Sequence, residues 1–302
     1  MACRSFLIVP ALLVALMWPG TSTSLTAVEV ALPGNAATLQ GKYTEFQPQL
    51  RARALGEPVH LVSNDTGSRL NADVYAELPQ PFKSLSTLLS TPDSVCGVMF
   101  LHLNVRACQD AHGTNGDALV LTAGPKQGGI NGAVYTMQYA MRVEASTPDY
   151  LRVVLTAANG PLSTSDYRIV FEAVPLEGQR TFLHFSYSYS YGSMAKMALA
   201  LYLSTAGRSK IGFTVVGRGP DGKPKYVQGE RGSIERNVIR NYLALRAYTS
   251  IPGPVGQPQM DARLRAWFAL SERYAPQLHE LTLDEYVTQK HDDLAQAPSV
   301  VR

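Results

Sequence analysis

The chain has 302 residues, 45% of them hydrophobic, with 27 Lys+Arg set against 24 Asp+Glu for a formal charge of +3. That length and apolar content supply the core of one large domain or two small ones. The near-balance of charge, with no Lys/Arg cluster, excludes the basic stripe of a nucleic-acid binder.

Residues 1–27 have the pattern of an export signal. Arg4 gives a positive start, Phe6 to Trp18 is an apolar run, Pro19-Gly20 breaks it, and small residues follow from Thr21 to Ser24 and again at Ala27. The run is shorter than the roughly 20 residues a membrane-spanning helix needs, and Cys3 precedes it, so it is not placed as a lipid-attachment cysteine. The expected location is therefore outside the cytoplasm, periplasmic or secreted. Removing the leader leaves Cys96 and Cys108. In an oxidising compartment they read as one disulfide, worth at most about 3 kcal/mol, with two buried free thiols as the alternative.

Residues 28–50 form a leading helix or a linker, with Leu39, Tyr43, Phe46 and Leu50 at loosely helical spacing. VHLVSN from Val59 and LNADVYAEL from Leu70 read as a hairpin around Asn64-Asp65-Thr66-Gly67. Phe82, Leu85, Leu88 and Leu89 mark a short amphipathic helix, and Pro92-Asp93-Ser94 caps another turn of helix carrying Cys96. Val98 to Val105 reads as a strand on which His102 and Asn104 share a face, and Gln109 to Asp117 as a turn cluster. Asp110 and Asp117 lack calcium-loop spacing, so no metal is expected there.

Five β segments follow: Ala118–Ala123, Ala133–Ser146, Tyr150–Ala157, Asp166–Val174 and Arg180–Tyr191. Their short Gly/Pro/Asn/Asp links leave no room for crossover helices, so they form an antiparallel meander. In the last of them Leu183, Phe185, Tyr187, Tyr189 and Tyr191 share one face, with His184 on the other. Met194–Thr205 has helical composition and only Lys196 as a charge; Gly212–Val216 is another strand, followed by a Gly/Pro/Asp turn. Gly232 to Ser250 then makes a long helix. Ile234, Val238, Tyr242, Leu245 and Thr249 form its apolar stripe, with Asn241 and Tyr248 on the edge, while Arg236, Arg240, Ala244 and Ala247 fall on other sides. After the Pro252-Gly253-Pro254 break, Met260–Tyr274 and Leu283–Leu294 are two amphipathic helices, with Trp267 and Phe268 as packing anchors. The organisation expected is a domain over 51–250 and a C-terminal helical extension over 251–302.

Three segments, SVCGVMFLHLNVRAC, PDYLRVVLTAANGPLSTSDYRIVFEAVPL and GERGSIERNVIRNYLALRAY, together with this order of elements, resemble the START and Bet v 1-like superfamily, and within it an uncharacterised exported bacterial group. The resemblance covers roughly Arg51 to Ser250. It implies an α+β helix-grip fold, a curved antiparallel sheet wrapped around a long C-terminal helix with an apolar cavity between them. The helix at Met194–Thr205 and the C-terminal extension are additions to that pattern.

No nucleophile elbow, phosphate loop, His-Glu-x-x-His or dinucleotide glycine fingerprint appears, and no cofactor is expected. The reading is a non-enzymatic exported protein binding a lipid or other apolar small molecule. Tyr187, Tyr189, Tyr191, Val238, Asn241, Tyr242, His102 and Asn104 are its candidate contacts. Asn241 on the inner stripe needs a partner, since an unpaired buried amide costs roughly 1–3 kcal/mol. Met194–Thr205 is a lid, a membrane contact or a core helix. Two other readings stand beside this one: an acid–base enzyme in which His102 or His184 meets a carboxylate inside a pocket, and an envelope interaction module docking through an apolar patch at Trp267 and Phe268.

Overall fold

A computed structural model describes residues 34–113, 116–124, 134–193, 196–197, 209–253 and 257–296. The expected leader at 1–27 and most of Met194–Thr205 lie outside them, as do the readings made for those segments. The helices are α1 (Ala36–Ala52), α2 (Phe82–Leu89), α3 (Pro92–Phe100), α4 (Gly229–Ser250), α5 (Gln257–Glu272), α6 (Ala275–Leu278) and α7 (Leu283–Gln296). The strands of the main sheet are β1 (Val59–Asp65), β2 (Arg69–Leu78), β3 (Val105–Gly113), β4 (Gly116–Ala123), β5 (Tyr135–Ser146), β6 (Leu151–Asn159), β7 (Thr164–Leu176) and β8 (Arg180–Tyr191). A small hairpin, β9 (Val215–Arg218) with β10 (Pro224–Tyr226), precedes α4.

The eight strands are antiparallel in the order β1-β2-β8-β7-β6-β5-β4-β3. Alternation decides which face is inside. Along β2, Leu70, Ala72, Val74, Ala76 and Leu78 are fully buried while the residues between them are only half-buried. Register breaks at Val105/Ala107, Val143/Ala145 and Ser165/Arg168 place bulges that add twist and let the sheet curl. α4 lies in the concave face against β1, β2 and β8, and α3 covers the β3–β4 end. The architecture is an α+β helix-grip.

Two local expectations fail. Residues 98–100 belong to α3, not to a strand, and 101–104 form a turn, so His102 and Asn104 do not share a strand face. Pro92 at the first helical position and Asp93 in the first turn set the helix going. Because Val95, Cys96, Val98, Met99 and Phe100 are all buried, no polar face marks the helical period. Likewise, Gln109 to Gly113 continue β3, so the expected turn cluster is mostly strand. The segment over 28–50 is helical from Ala36, and α1 lies on the outer face, where Leu39, Phe46 and Leu50 pack with Tyr150, Val174 and Phe182. The strand expected over Gly212–Val216 starts later, at Val215.

α4 is buried on nearly all sides. Ile234, Val238, Tyr242 and Leu245 are in the core, as expected of the stripe, but so are Ile239, Leu243, Ala244 and Ala247, and Arg236 and Arg240 are buried too. The C-terminal helices are the cause: α5 and α6 pack on the back of α4. Arg240 donates to the Leu278 carbonyl at 3.2 Å and to Glu280 at 2.6 Å, and the Trp267 indole donates to the Arg240 carbonyl at 3.1 Å. At its start α4 is pinned by Glu235, a fully buried carboxylate that accepts from Ser63, from the backbone N–H groups of Phe213 and Thr214, and from the Thr214 hydroxyl. Gly97 permits the α3–α4 crossing, since a Cβ there would lie 2.7 Å from the Tyr248 ring.

α7 grips the turn between α3 and β3. Tyr286, Gln289, Lys290 and Asp293 recur at helical spacing and are all buried. Lys290 Nζ donates to the carbonyls of Phe100 (2.6 Å), His102 (2.8 Å) and Val105. Tyr286 donates to Leu101 at 2.7 Å and Gln289 to Leu103 at 3.3 Å, while Asn104 receives the N–H of Gly124 at 2.8 Å. Arg106 pairs with Asp293. The Cys96–Cys108 disulfide brackets the same turn from α3 to β3. Lys290→Met keeps the apolar stem but strips donors from three buried carbonyls. It should lower unfolding free energy by about 3 kcal/mol or more, read as a shift of the urea midpoint with an unchanged m-value.

Candidate ligand cavity

Geometry dictates that one helix cannot fill this sheet. Eight strands span roughly 34 Å at about 4.8 Å per spacing, whereas a helix with its side chains is about 10–12 Å wide. With α4 toward β1, β2 and β8 and α3 over β3 and β4, a gap remains between them. It is a cavity of ≈ 260 Å³.

Its walls are apolar and aromatic. Val105, Leu121, Met137, Tyr139, Tyr167, Ile169 and Tyr187 come from the sheet, Met99 from α3, and Asn237 and Asn241 from α4. Asn104, which is exposed, lies at the rim with the half-buried Ala123 and Tyr135. Among the described residues, no carboxylate, lysine or arginine lines the cavity. Burial raises the pKa of the Tyr139, Tyr167 and Tyr187 phenols, so they stay neutral.

His102 sits at the cavity wall with 4% of its surface exposed. Burial, aided by the positive charges of Arg240 and Lys290, pushes its pKa down to about 3, so the ring is neutral. The Asn104 backbone N–H donates to Nδ1 at 3.1 Å. Asn237 lies alongside both the His102 ring and the Tyr187 hydroxyl and influences each, but completes no well-formed hydrogen bond to Nε2.

The sequence candidates divide evenly. His102, Asn104, Tyr187 and Asn241 meet at the cavity. Val238 is in the core beside it, and Tyr242 turns its hydroxyl toward Glu57 (3.4 Å) and receives the Arg246 guanidinium (3.0 Å). Tyr189 stacks on Tyr167 at 5.1 Å between centroids, and Tyr191 donates to Asp65 at 2.7 Å. These four do not line the cavity. Asn241 finds its backbone partner within its own helix, donating to the Asn237 carbonyl at 2.9 Å. Asn237 itself was not among the candidates, although Asn237 and Asn241 one helical turn apart were a legible signal.

His184 has the carboxylates that His102 lacks, on the opposite face of the sheet. Its Nδ1 meets Glu172 and its Nε2 meets Asp73, both at 2.8 Å, and Tyr75 stacks on the ring at 4.5 Å. Glu172 also accepts from Tyr150 (2.5 Å) and pairs with Arg152 (2.6 Å). Although burial opposes its ionisation, the hydrogen bonds from His184 and Tyr150 and the Arg152 charge pull Glu172 down to about 2. Burial likewise opposes the charge on His184, but the hydrogen bonds to Asp73 and Glu172 outweigh it and raise its pKa. A separate open cleft of ≈ 510 Å³ borders Glu57, Phe213 and Tyr274. Its Glu57 is already paired with Arg246 and Arg273. No group of three or more His, Cys, Asp or Glu among the described residues is placed to hold a metal ion.

No known sequence family matches the chain, and no curated protein does. Among solved structures it is similar to a START superfamily protein from Mycobacterium smegmatis, at 15% identity and TM-score 0.31 over 49% of this chain and 92% of that one. It is similar to the Zhui aromatase/cyclase from a Streptomyces species, at 12% identity and TM-score 0.34 over 70% and 94% of the two chains. Truncated norcoclaurine synthase from Thalictrum flavum gives 14% identity and TM-score 0.31 over 48% and 91%. The START and Bet v 1-like resemblance of the sequence is met by solved structures of that kind. At these scores the likeness carries no argument about ligand or reaction, which rest on this chain's own residues.

The outer cluster makes stability depend on pH. The folded-state pKa of His184 lies above its ordinary value of 6.5, so its contribution is whole below the unfolded value and is lost as pH rises through the folded one. The urea-midpoint advantage of the native chain over a His184→Gln variant should therefore be whole below pH 6.5 and shrink as pH rises above it.

Proposed function

We propose that this protein binds a compact, neutral, largely apolar small molecule between the sheet and α4, without transforming it, in a compartment outside the cytoplasm. The observation that carries this is the uncharged, aromatic-lined cavity left where the helix fails to fill the sheet. Apolar walls with a few convergent polar groups are the ordinary composition of a small-molecule site. At ≈ 260 Å³ the cavity lies just under the roughly 300–1,000 Å³ of common ligand sites. A ring system or short chain suits it better than a two-chain lipid. Export is supported by the leader sequence and by the disulfide, which oxidising compartments favour.

The other two readings find less support. Acid–base catalysis needs a histidine and a carboxylate at one pocket; among the described residues His102 has the cavity and His184 has the carboxylates. Docking through Trp267 and Phe268 needs them exposed, yet Trp267 is 3% exposed and both rings pack on Tyr286. Among the described residues no helix is long and apolar enough to cross a membrane.

Calorimetric titration with acetylnaphthalene checks the reading. The native chain should bind it, and Ala123→Phe, which fills the rim, should weaken binding at least about tenfold while leaving the urea midpoint near the native value. Binding that is absent, or indifferent to the rim substitution, would count against the cavity as the site.

A further inference from the structure

The cavity carries one polar feature that its apolar walls do not explain. A backbone N–H can only donate, so the contact from Asn104 makes Nδ1 of His102 the bare nitrogen and places the ring proton on Nε2. That Nε2 is buried, and its one polar neighbour in the chain, the Asn237 side chain, completes no well-formed hydrogen bond to it. Buried donors are almost always paired, so an exception in the wall of a cavity asks for a partner from outside the chain. The donor is also held still. Each carbonyl from Phe100 to Val105 receives a hydrogen bond, mainly from Lys290, Tyr286 and Gln289 of α7, and the disulfide closes the loop around them.

Resting on the binding reading above, we propose that His102 is the polar anchor of the cavity, its Nε2–H donating to a carbonyl or ether oxygen of a neutral ligand, and that α7 is part of the site because it positions this donor. The ligand is neutral because the wall offers no charged partner among the described residues, and an anion would exchange full hydration for a few neutral groups. Arg240 and Lys290 stand near the ring, but the first is paired with Glu280 and the second is saturated by three carbonyls. The ring remains neutral across the ordinary pH range, so the donor is a single N–H of fixed direction. Lys290, Tyr286 and Gln289 touch the turn rather than the ligand; they act as positioning residues.

Three probes of one shape separate the parts of this inference: acetylnaphthalene, ethylnaphthalene, which lacks the oxygen, and naphthoate, which is charged. Their affinities are compared in the native chain and in His102→Phe, so that differences in hydration cancel. Removing the donor should shift the acetyl-to-ethyl ratio against the ketone by roughly five- to tenfold, and naphthoate should bind more weakly than acetylnaphthalene to the native chain. Nitrogen NMR of the native chain gives a second readout that needs no variant to fold: Nε2 should carry the proton and its resonance should move on adding acetylnaphthalene. Lys290→Met should broaden or shift that signal and reduce the ketone preference, whereas a purely structural lysine would leave the ratio unchanged. If the neutral probes bind and the ratio is unaltered in His102→Phe, or the proton is on Nδ1, the anchor is wrong and the binding reading survives. Equal binding of naphthoate removes the neutral class. If no probe binds, the binding reading fails and this inference with it.

Discussion

Three backbone carbonyls converge on the ammonium of Lys290, and much of the molecule is arranged so that they can. A helix that ends at Phe100 leaves its last carbonyls without partners, and here the chain turns at once into a strand, away from water. One buried lysine with two neighbouring donors on α7 satisfies most of the turn, and the Gly124 N–H takes the Asn104 carbonyl. A buried cation is costly: burial pushes the Lys290 pKa down to about 7, against the nearby Asp293, which favours the charge, while the carbonyl cage and the Phe100 ring 4.5 Å away surround it. The C-terminal helices are therefore structural members of the sheet-and-helix unit. They cover the back of α4 and set the corner where α3 hands over to β3.

Two of the chain's histidines, on opposite sides of the sheet, show how strongly position sets chemistry. His102, inside, loses hydration and gains no carboxylate, so it is a neutral donor. His184, on the outer face under α1, is flanked by Asp73 and Glu172 and favours the charged ring. One face of the sheet thus offers a hydrogen bond without charge, suited to apolar company. The other collects charge into a compact network of Tyr150, Arg152 and Glu172. The curved sheet divides an uncharged cavity from a charged cluster, with α4 on the side of the first and α1 on the side of the second.

Much of the fold was legible because its periods are strong. The alternation of Leu183 to Tyr191 and the hairpin around Asn64–Gly67 correspond to β8 and to β1–β2. What escaped were elements buried all round. Val98–Phe100 could be helix or strand by pattern alone, and only Pro92 and Asp93 favoured helix. Arg236 and Arg240 looked like the wet side of α4, since nothing in the sequence shows that α5 and α6 will cover it. Of the residues that line the cavity, His102, Asn104, Tyr187 and Asn241 were among the sequence candidates, the last two from periodicity. Tyr139, Tyr167 and Asn237 were missed because a cavity wall is made by strand order, which brings distant segments together. Lys290 was missed for the opposite reason: on a charged helix it resembles any solvated lysine.

The grip of α7 on the turn also has a consequence in time. Phe100 and Lys290 are 190 positions apart, so at about 5–20 residues per second the turn leaves the ribosome roughly ten to forty seconds before its donors do. The meander from β3 to β8, joined by short links, is made in that interval and can collapse around an unfinished corner. A nascent protein can own its sheet, its long helix and the space between them, yet the turn that carries His102 gains its α7 donors only once α7 has been made.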